Sequence, residues 1–185
     1  MEIVNRGPNR AAIEALDIQP SDRILELGFG PGAAIETLAA LAPLGKIRGI
    51  DQSPVMLDLA RRRNMREIRA GHVVLKQGTF ENLPLPDASI DKILAVNVVY
   101  FWDDAAPILE EMKRVLHPGG LVSIYATDVS AMRHWKFAGP ETHRTFDRRA
   151  LTDLLRDGGF DGDRIRIRNI RTTLSVRGLV ATARK

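Results

Sequence analysis

The sequence contains no cysteine among its 185 residues, which excludes disulfides, thiolate nucleophiles and thiolate metal sites. No apolar run approaches the roughly 18 residues that a membrane span requires. The first ten residues, MEIVNRGPNR, lack the apolar core of a signal peptide, so we expect a cytoplasmic protein with no membrane partner. The net charge of +4 is small and spread along the chain. We interpret it as a solubility feature, and we expect neither a nucleic-acid partner nor a bound metal.

The residues that are present suit one domain with a substantial core. Hydrophobic residues make up 44% of the chain and charged residues 27%, as in ordinary globular proteins. A length of 185 residues is within the range of a single domain. We therefore predict a single domain over residues 1–185.

The stretch RILELGFGPGA, residues 23–33, changes abruptly from apolar residues to turn residues. Its first half predicts a short buried strand, and its glycines predict a turn before the next helix. Glycines suit a turn with backbone angles that other residues avoid, and they let a ligand approach the main chain. The free N–H groups of the following helix point at such a ligand. The stretch therefore predicts a cofactor site.

The identity of the cofactor depends on Glu26, which lies two residues before the first glycine. Gly28, Gly30 and Ala33 also fit the loose dinucleotide pattern G-x-G-x-x-G/A, so an NAD enzyme is an alternative. A carboxylate at position 26 would repel a pyrophosphate. S-adenosylmethionine carries a sulfonium and an ammonium beside one carboxylate, so a nearby anion would favour its binding. We therefore favour S-adenosylmethionine.

A second acidic residue, Asp51, ends the next predicted strand, residues 46–50. An acid about 20 residues beyond a nucleotide-binding glycine turn can accept hydrogen bonds from both ribose hydroxyls. Asp51 could instead cap the following helix, but Ser53 before Pro54 already supplies an N-cap and a first-turn proline. We interpret Asp51 as a ribose ligand.

Two motifs carry a resemblance to a known family. Glu26 and the three glycines have the form acid-x-Gly-x-Gly-x-Gly, and RVLHPGG at residues 114–120 precedes a predicted strand at 121–126. In both, the chain resembles the class I, Rossmann-like S-adenosylmethionine-dependent methyltransferases, in particular the small-molecule "methyltransferase type 11-like" group. The resemblance spans roughly residues 21–127. It implies methyl transfer from S-adenosyl-L-methionine to a small-molecule acceptor.

Strands alternate with helices along most of the chain, which predicts an α/β fold with a doubly wound, mostly parallel sheet. The resemblance adds an antiparallel C-terminal strand pair, giving seven strands with helices on both faces. It also implies the following division of the domain: an N-terminal cap segment at 1–20, a cofactor-binding core at 21–127, a substrate-facing loop at 128–146, and a C-terminal helix and two strands at 147–185.

Several local features are expected from helix signals. Pro8 predicts the first turn of a helix that packs at the sheet edge, and Thr145 predicts the cap of a helix over 147–157. In the helix after Pro54, we expect Leu59 to point inward. The resemblance raises the possibility that the leading segment contacts the methionine carboxylate of the cofactor, the alternative being a set of solvated end residues: Asn5, Arg6 and Arg10.

The resemblance implies cofactor contacts at the carboxyl ends of the first four strands. The family often has an acid where Thr79 stands, so a hydroxyl or a backbone carbonyl would contact the adenine here, with Phe80 as a packing surface. The full set of expected cofactor contacts is Glu26, Gly28, Phe29, Gly30, Pro31, Gly32, Asp51, Gln52, Met56, Gly78, Thr79, Phe80, Asn97, Val98 and Trp102.

The acceptor side is less defined by the sequence. Three aromatics follow the fourth strand at 100–102, of which at least one is expected in the core, and Tyr100 and Trp135 are candidate acceptor contacts. We expect catalysis mainly by alignment of the acceptor, with His134 and His143 as candidate bases if a proton must leave. A nucleic-acid methyltransferase and a non-catalytic S-adenosylmethionine-binding module remain alternatives. The protein is expected to be a monomer or a homodimer.

Overall fold

The computed structural model describes residues 2–132, 144–172 and 176–185. Its strands are β1 (Arg23–Leu27), β2 (Lys46–Asp51), β3 (Val73–Gln77), β4 (Ile90–Val96), β5 (Leu116–Thr127), β6 (Ile165–Arg171) and β7 (Arg177–Arg184). Its helices are α1 (Glu2–Glu14), α2 (Ala33–Leu41), α3 (Pro54–Arg63), α4 (Met65–Arg69), α5 (Ala106–Val115), α6 (Val129–Met132) and α7 (Arg148–Asp157).

The strands of this part of the chain form one sheet in the order β3-β2-β1-β4-β5-β7-β6. The first five strands pair in parallel, and β7 pairs antiparallel with both β5 and β6. The chain first builds outward from β1 through β2 to β3 and then returns to the other side of β1 with β4. This reversal opens a crevice at the carboxyl ends of β1 and β4, where open α/β sheets bind ligands. The predicted fold class is confirmed.

Helices cover both faces of the sheet. Apolar side chains of α1, α2 and α3 form one core with one face of the strands, and those of α5 and α7 form a second core with the other face. Because the central strands are buried on both sides, their sequences are almost continuously apolar rather than alternating. In β1, for example, Ile24, Leu25 and Leu27 are fully buried.

The leading helix differs from the expectation in its start and in its position. It begins at Glu2 and contains Pro8 in its interior, and it contacts β4 and β5 across a sheet face rather than at the sheet edge. A proline inside a helix removes one backbone hydrogen bond. Burial of Pro8, Ala12 and Leu16 provides packing that offsets this loss.

Two other local expectations were wrong. Leu59 is 43% exposed, and Leu57 and Ala60 are the buried residues of α3. Helix α7 is capped by the side chain of Asp147, which accepts a hydrogen bond from Ala150 N–H at 2.8 Å, rather than by Thr145. The described part of residues 128–146 contains the short helix α6, and the expected substrate-facing loop stays a prediction.

Within the described residues, no helix has the length and apolar character needed to cross a membrane. The cytoplasmic location and the division of the domain into segments stay predictions.

Candidate functional site

The glycine turn after β1 has a left-handed backbone at each of its glycines. The φ angles are +70° at Gly28, +52° at Gly30 and +81° at Gly32, a region that other residues rarely adopt. The turn is held to the sheet by Gly28 N–H, which donates to Ile50 O at 2.8 Å. The sequence pattern of residues 28–32 therefore reflects a real conformational requirement.

The three glycines face different surroundings. A Cβ atom at Gly28 would lie 2.6 Å from Val98 Cγ2, and one at Gly32 would lie 2.8 Å from Ala60 Cβ. A Cβ atom at Gly30 would meet no atom within 4 Å. Gly28 and Gly32 are thus required for packing inside the protein, whereas Gly30 borders open space at the crevice.

Asp51 ties the glycine turn to the end of β2. Its carboxylate accepts a hydrogen bond from Gly30 N–H at 2.8 Å and another from Ser53 N–H at 2.9 Å. Asp51 is only 8% exposed, and Ser53 caps α3 as expected, accepting from Met56 N–H at 3.3 Å. The carboxylate oxygens keep further lone pairs for a ligand, because each can accept more than one hydrogen bond.

Glu26 is a buried carboxyl without a full set of partners. It is 3% exposed, and its Oε2 atom has no hydrogen-bond partner within the described residues. Burial, together with the nearby charge of Asp51, raises the pKa of Glu26 to about 8. Two acids therefore converge below the turn, an arrangement that a cationic ligand would stabilise.

Asn64 is a site residue that the sequence analysis missed. It is 3% exposed, and its Nδ2 atom donates to Gly32 O at 3.1 Å and to Ala60 O at 2.9 Å. It thereby fixes the second half of the glycine turn to the end of α3. The available signal was its spacing, since positions 57, 60 and 64 lie on one helical face.

The other expected cofactor contacts fall into two groups. Residues with accessible surface at the carboxyl edge of β1, β2 and β3 are Pro31, Gln52, Met56, Gly78 and Thr79. Residues whose side chains are buried in the core are Phe29, Phe80, Val98 and Trp102. Trp102 is 1% exposed, so in this conformation its side chain offers no surface to a ligand. Its contact with the cofactor stays a prediction, and the site proposed below does not include it.

A polar cluster lies at the carboxyl end of β4. Asn97 has a φ of +55°, which is uncommon for a residue other than glycine and often marks a functional site. Its Nδ2 atom donates to Asn5 Oδ1 at 3.0 Å, and its Oδ1 atom accepts from the Tyr100 hydroxyl at 3.0 Å. Thr127 Oγ1 lies 3.5 Å from Asn97 Oδ1. We call Asn5, Asn97, Tyr100 and Thr127 the polar cluster.

The aromatic triplet divides between core and surface. Tyr100 and Trp102 are buried and Phe101 is 58% exposed, so the expectation that at least one is core is confirmed. The Tyr100 hydroxyl also accepts a hydrogen bond from Thr127 N–H. Burial raises the pKa of Tyr100 to about 12, so this hydroxyl stays protonated at neutral pH and can act as a donor.

Other sequence candidates lie elsewhere. His134, Trp135 and His143 are outside the described residues. Arg10 pairs with Glu14 at 2.7 Å on the exposed side of α1, away from the polar cluster. In the part of the chain that the structure describes, no three His, Asp or Glu side chains are arranged to hold a metal ion.

Comparison with known proteins agrees with this geometry. The family described as "Methyltransferase domain" (Methyltransf_11) matches residues 25–124. The chain is 35% identical over 185 residues to an uncharacterized methyltransferase, YdaC, of Bacillus subtilis (strain 168), covering all of this chain and 95% of that protein. It is 32% identical over 122 residues to the ubiquinone/menaquinone biosynthesis C-methyltransferase UbiE of Geotalea daltonii, covering 65% of this chain and 52% of that protein.

A solved structure is also similar over almost the whole chain. It is a Thermotoga maritima S-adenosylmethionine-dependent methyltransferase, described as a possible histamine N-methyltransferase. The TM-score is 0.72 and the sequences are 27% identical, with 98% of this chain and 91% of that chain covered. The fold and the glycine turn thus define a class I, Rossmann-like S-adenosylmethionine-dependent methyltransferase. The chain belongs to the methyltransferase-domain family that matches residues 25–124.

Proposed function

We propose that this protein transfers the methyl group of S-adenosyl-L-methionine to a small-molecule acceptor, with the cofactor bound over the glycine turn. The observation that carries the proposal is Glu26, which is buried with an unpartnered Oε2 atom next to a second acid, Asp51. A buried, unpartnered carboxyl is unfavourable unless a cation or a donor completes it. S-adenosylmethionine supplies two cationic groups, whereas a dinucleotide pyrophosphate is anionic.

The residues present fit the cofactor. Gly30 leaves open space where a ligand would approach the backbone, since a Cβ atom there would meet no neighbour. Asp51 has acceptor capacity for ribose hydroxyls in addition to the N–H groups of Gly30 and Ser53. Thr79 is exposed at the end of β3, where its hydroxyl or backbone can contact the adenine.

The chain's own part in the reaction is to position the acceptor. When bound, S-adenosylmethionine supplies a methyl group already activated by its positive sulfur. The polar cluster lies beside the turn, because Val98, the residue after Asn97, borders the space above Gly28. Its internal hydrogen bonds hold Asn97 and Tyr100 in fixed positions next to the proposed acceptor space. Alignment of reactants can lower a barrier by on the order of 7 to 11 kcal/mol, so a strong base is not obligatory.

Isothermal calorimetry tests the cofactor assignment. We expect S-adenosylmethionine and its demethylated product, S-adenosylhomocysteine, to bind with micromolar affinity, and NAD to bind at least 100-fold more weakly. Glu26→Gln keeps the size of the side chain and prevents it from ionising when a cationic ligand binds, so we expect weaker binding of S-adenosylmethionine. Tighter binding of NAD than of S-adenosylmethionine would overturn the proposal.

Methyl transfer is tested separately with S-adenosylmethionine labelled in its methyl group. We expect label in the small-molecule fraction of a cell extract and none in RNA or DNA added at equal mass. Label in nucleic acid would contradict the proposed acceptor class. Cofactor binding without transfer to any fraction would favour a binding module over an enzyme.

A further inference from the structure

A second group of charged side chains lies on the same edge of the sheet, beyond the end of β5. It surrounds a cavity of about 340 Å³, a volume in the range of small-molecule sites, which are roughly 300 to 1,000 Å³. The described residues that line the cavity are Asp128, Asn169, Ile170, Arg171, Arg177 and Gly178. The glycine turn and the polar cluster contribute no residue to it.

Two arginines face each other in this cavity. Arg171 and Arg177 are direct partners in the antiparallel pairing of β6 with β7, so their side chains leave the sheet on the same face. Both are exposed, and within the described residues neither side chain forms an ion pair or a hydrogen bond. Like charges directly opposite each other destabilise a strand pair. An anion between the two guanidinium groups would replace this repulsion with attraction.

The acid in the cavity does not neutralise this pair. Asp128 lies beside Arg177, because Asp128 N–H donates to Arg177 O at 3.0 Å. Its Oδ1 atom accepts from Ser130 N–H at 2.9 Å and from the Ser130 hydroxyl, so the carboxylate caps the start of α6. Among the described residues, the lining has one acid and two arginines and so carries an excess positive charge.

The cavity is adjacent to the polar cluster. Thr127 Oγ1 lies 3.5 Å from Asn97 Oδ1, and Asp128 is the next residue in the chain. In the sheet order β4-β5-β7-β6, Arg177 is two strands from Asn97 and Arg171 is three. Neighbouring strands are about 4.8 Å apart, which places the arginines roughly 10 to 14 Å from Asn97 along the edge.

From this arrangement we infer that the acceptor carries a carboxylate or phosphate group, which binds between Arg171 and Arg177, roughly 10 to 14 Å along the sheet edge from Asn97. The inference rests on the proposed function for the identity of the acceptor, but the anion site can be tested without it. The competing explanation is that arginines on β6 only protect the edge strand from pairing with other chains.

The test measures binding of simple probes by calorimetry, with and without S-adenosylhomocysteine. The probes are inorganic phosphate, benzoate and, as a neutral match for benzoate, benzamide. We expect phosphate or benzoate to bind saturably and benzamide not to bind. Arg171→Gln and Arg177→Gln should each weaken anion binding about tenfold or more, since each removes a charge-assisted contact.

Arg168→Gln is the matched control. Arg168 is exposed on the same strand, but it pairs with Val180 and its side chain lies on the opposite face from Arg171. We expect this variant to bind the anions as the unmodified protein does. Melting temperatures of the three variants verify that each is folded.

The outcomes separate the possibilities. Tighter binding of phosphate indicates a phosphorylated acceptor, and tighter binding of benzoate indicates a carboxylate. Four results would each overturn the inference. They are the absence of saturable anion binding, anion binding by Arg171→Gln and Arg177→Gln as strong as by the unmodified protein, a loss in Arg168→Gln as large as in these two variants, and binding of benzamide as strong as that of benzoate. Failure to bind S-adenosylhomocysteine would refute the proposed function instead, because anion binding is also measured without S-adenosylhomocysteine.

Discussion

The candidate site has two ends, one at the end of β1 that is built mainly from backbone and one at the end of β4 that is built mainly from side chains. At the end of β1, the surface that faces the crevice is mainly backbone, with three glycines in a left-handed conformation and N–H groups held by Asp51. At the end of β4, it is mainly side chains, with Asn97 and Tyr100 joined to Thr127 and Asn5.

On the proposed function, the end of β1 binds the cofactor and the end of β4 binds the acceptor, and the two surfaces suit these two tasks. A backbone surface depends on conformation, and few sequences provide three left-handed residues in five positions. A side-chain surface depends on which residues meet from distant segments, so it can change with the acceptor while the fold stays the same. The predictions below test whether the two ends can be altered independently.

The largest effect is expected from Gly30→Val on the backbone side. Its side chain would enter the open space next to the turn, so we expect cofactor binding to fall at least a thousandfold, or about 4 kcal/mol. The fold should survive, because no protein atom lies within 4 Å of the new Cβ. The left-handed backbone would cost about 1 to 2 kcal/mol of stability. Calorimetry with S-adenosylhomocysteine and urea unfolding measure the two quantities.

Gly119→Val is the control for backbone strain. Gly119 also has a positive φ, +83°, and open space at its Cβ position, but it lies near the start of β5, at the opposite end of that strand from the crevice. We expect a similar loss of stability and unchanged cofactor binding. Normal binding by a folded Gly30→Val protein would show that the turn only connects β1 to α2.

The next effect is the pH dependence caused by Glu26. Its pKa is raised from 4.5 to about 8 in the folded protein, so the native state holds a proton that the unfolded state has lost. The free protein should therefore lose stability as the pH rises through this window, by about 1.4 kcal/mol per pH unit. Between pH 5.5 and 7.5, this amounts to roughly 2 to 3 kcal/mol.

Urea unfolding of the wild-type protein and of Glu26→Gln across this pH range checks the prediction. The variant should lack the decline, since its side chain does not ionise, and the difference between the two curves isolates Glu26. Parallel curves for the two proteins would mean that Glu26 is ionised in the free protein.

Asp51→Ala should weaken cofactor binding by about 1 to 3 kcal/mol, through lost charge-assisted hydrogen bonds. Part of this loss would come from the turn itself, because Gly30 N–H and Ser53 N–H lose their acceptor. Comparing adenosine with 2′-deoxyadenosine separates the two causes. The unmodified protein should prefer adenosine, and Asp51→Ala should not.

Asp58→Ala is the charge-matched control, since Asp58 is exposed on α3. It should bind the cofactor normally. An undiminished preference for adenosine in Asp51→Ala would contradict the assignment of Asp51 as a ribose ligand.

The smallest effect is expected from Tyr100→Phe on the side-chain end. The change removes the hydroxyl that accepts from Thr127 N–H and donates to Asn97 Oδ1, which should lower the free energy of unfolding by about 1 to 2 kcal/mol. Cofactor binding should stay within about twofold, because the backbone end is intact.

Tyr125→Phe is the matched control on the neighbouring strand. Its hydroxyl is buried and has no hydrogen-bond partner within the described residues, so removing it should cost no stability. If Tyr100→Phe abolished cofactor binding, the two ends of the site would not be independent.

The features that were predictable from the sequence are those encoded locally. The glycine turn, the acid at the end of β2 and the Ser53-Pro54 helix start each depend on residues within a few positions of one another. The alternation of apolar strands and amphipathic helices likewise predicted the doubly wound sheet, since the spacing of apolar residues in a strand or a helix reflects local backbone geometry. These predictions are confirmed for the fold and the enzyme class, whereas the roles of individual site residues stay predictions.

The remaining features depend on contacts between distant segments. The Asn64 side chain donates to Gly32 O. Asn97 donates to Asn5, which lies on α1, the helix that the sequence analysis placed at the sheet edge. Leu59 is exposed because α3 is turned so that Ala60 and Asn64 pack on the glycine turn. Helix rotation of this kind follows from packing and not from propensity.

The sequence by itself determined the glycine turn after β1 and the acid at the end of β2, because left-handed glycines and an acid at a strand end are requirements of local conformation and charge. Only the tertiary structure decided which side chains meet at the end of β4. Arg171 and Arg177 become a candidate anion site through strand pairing and sheet order, and residues 92 positions apart, Asn5 and Asn97, become neighbours through the packing of α1 on the sheet. Such contacts join segments that the sequence keeps far apart, so no local pattern contains them.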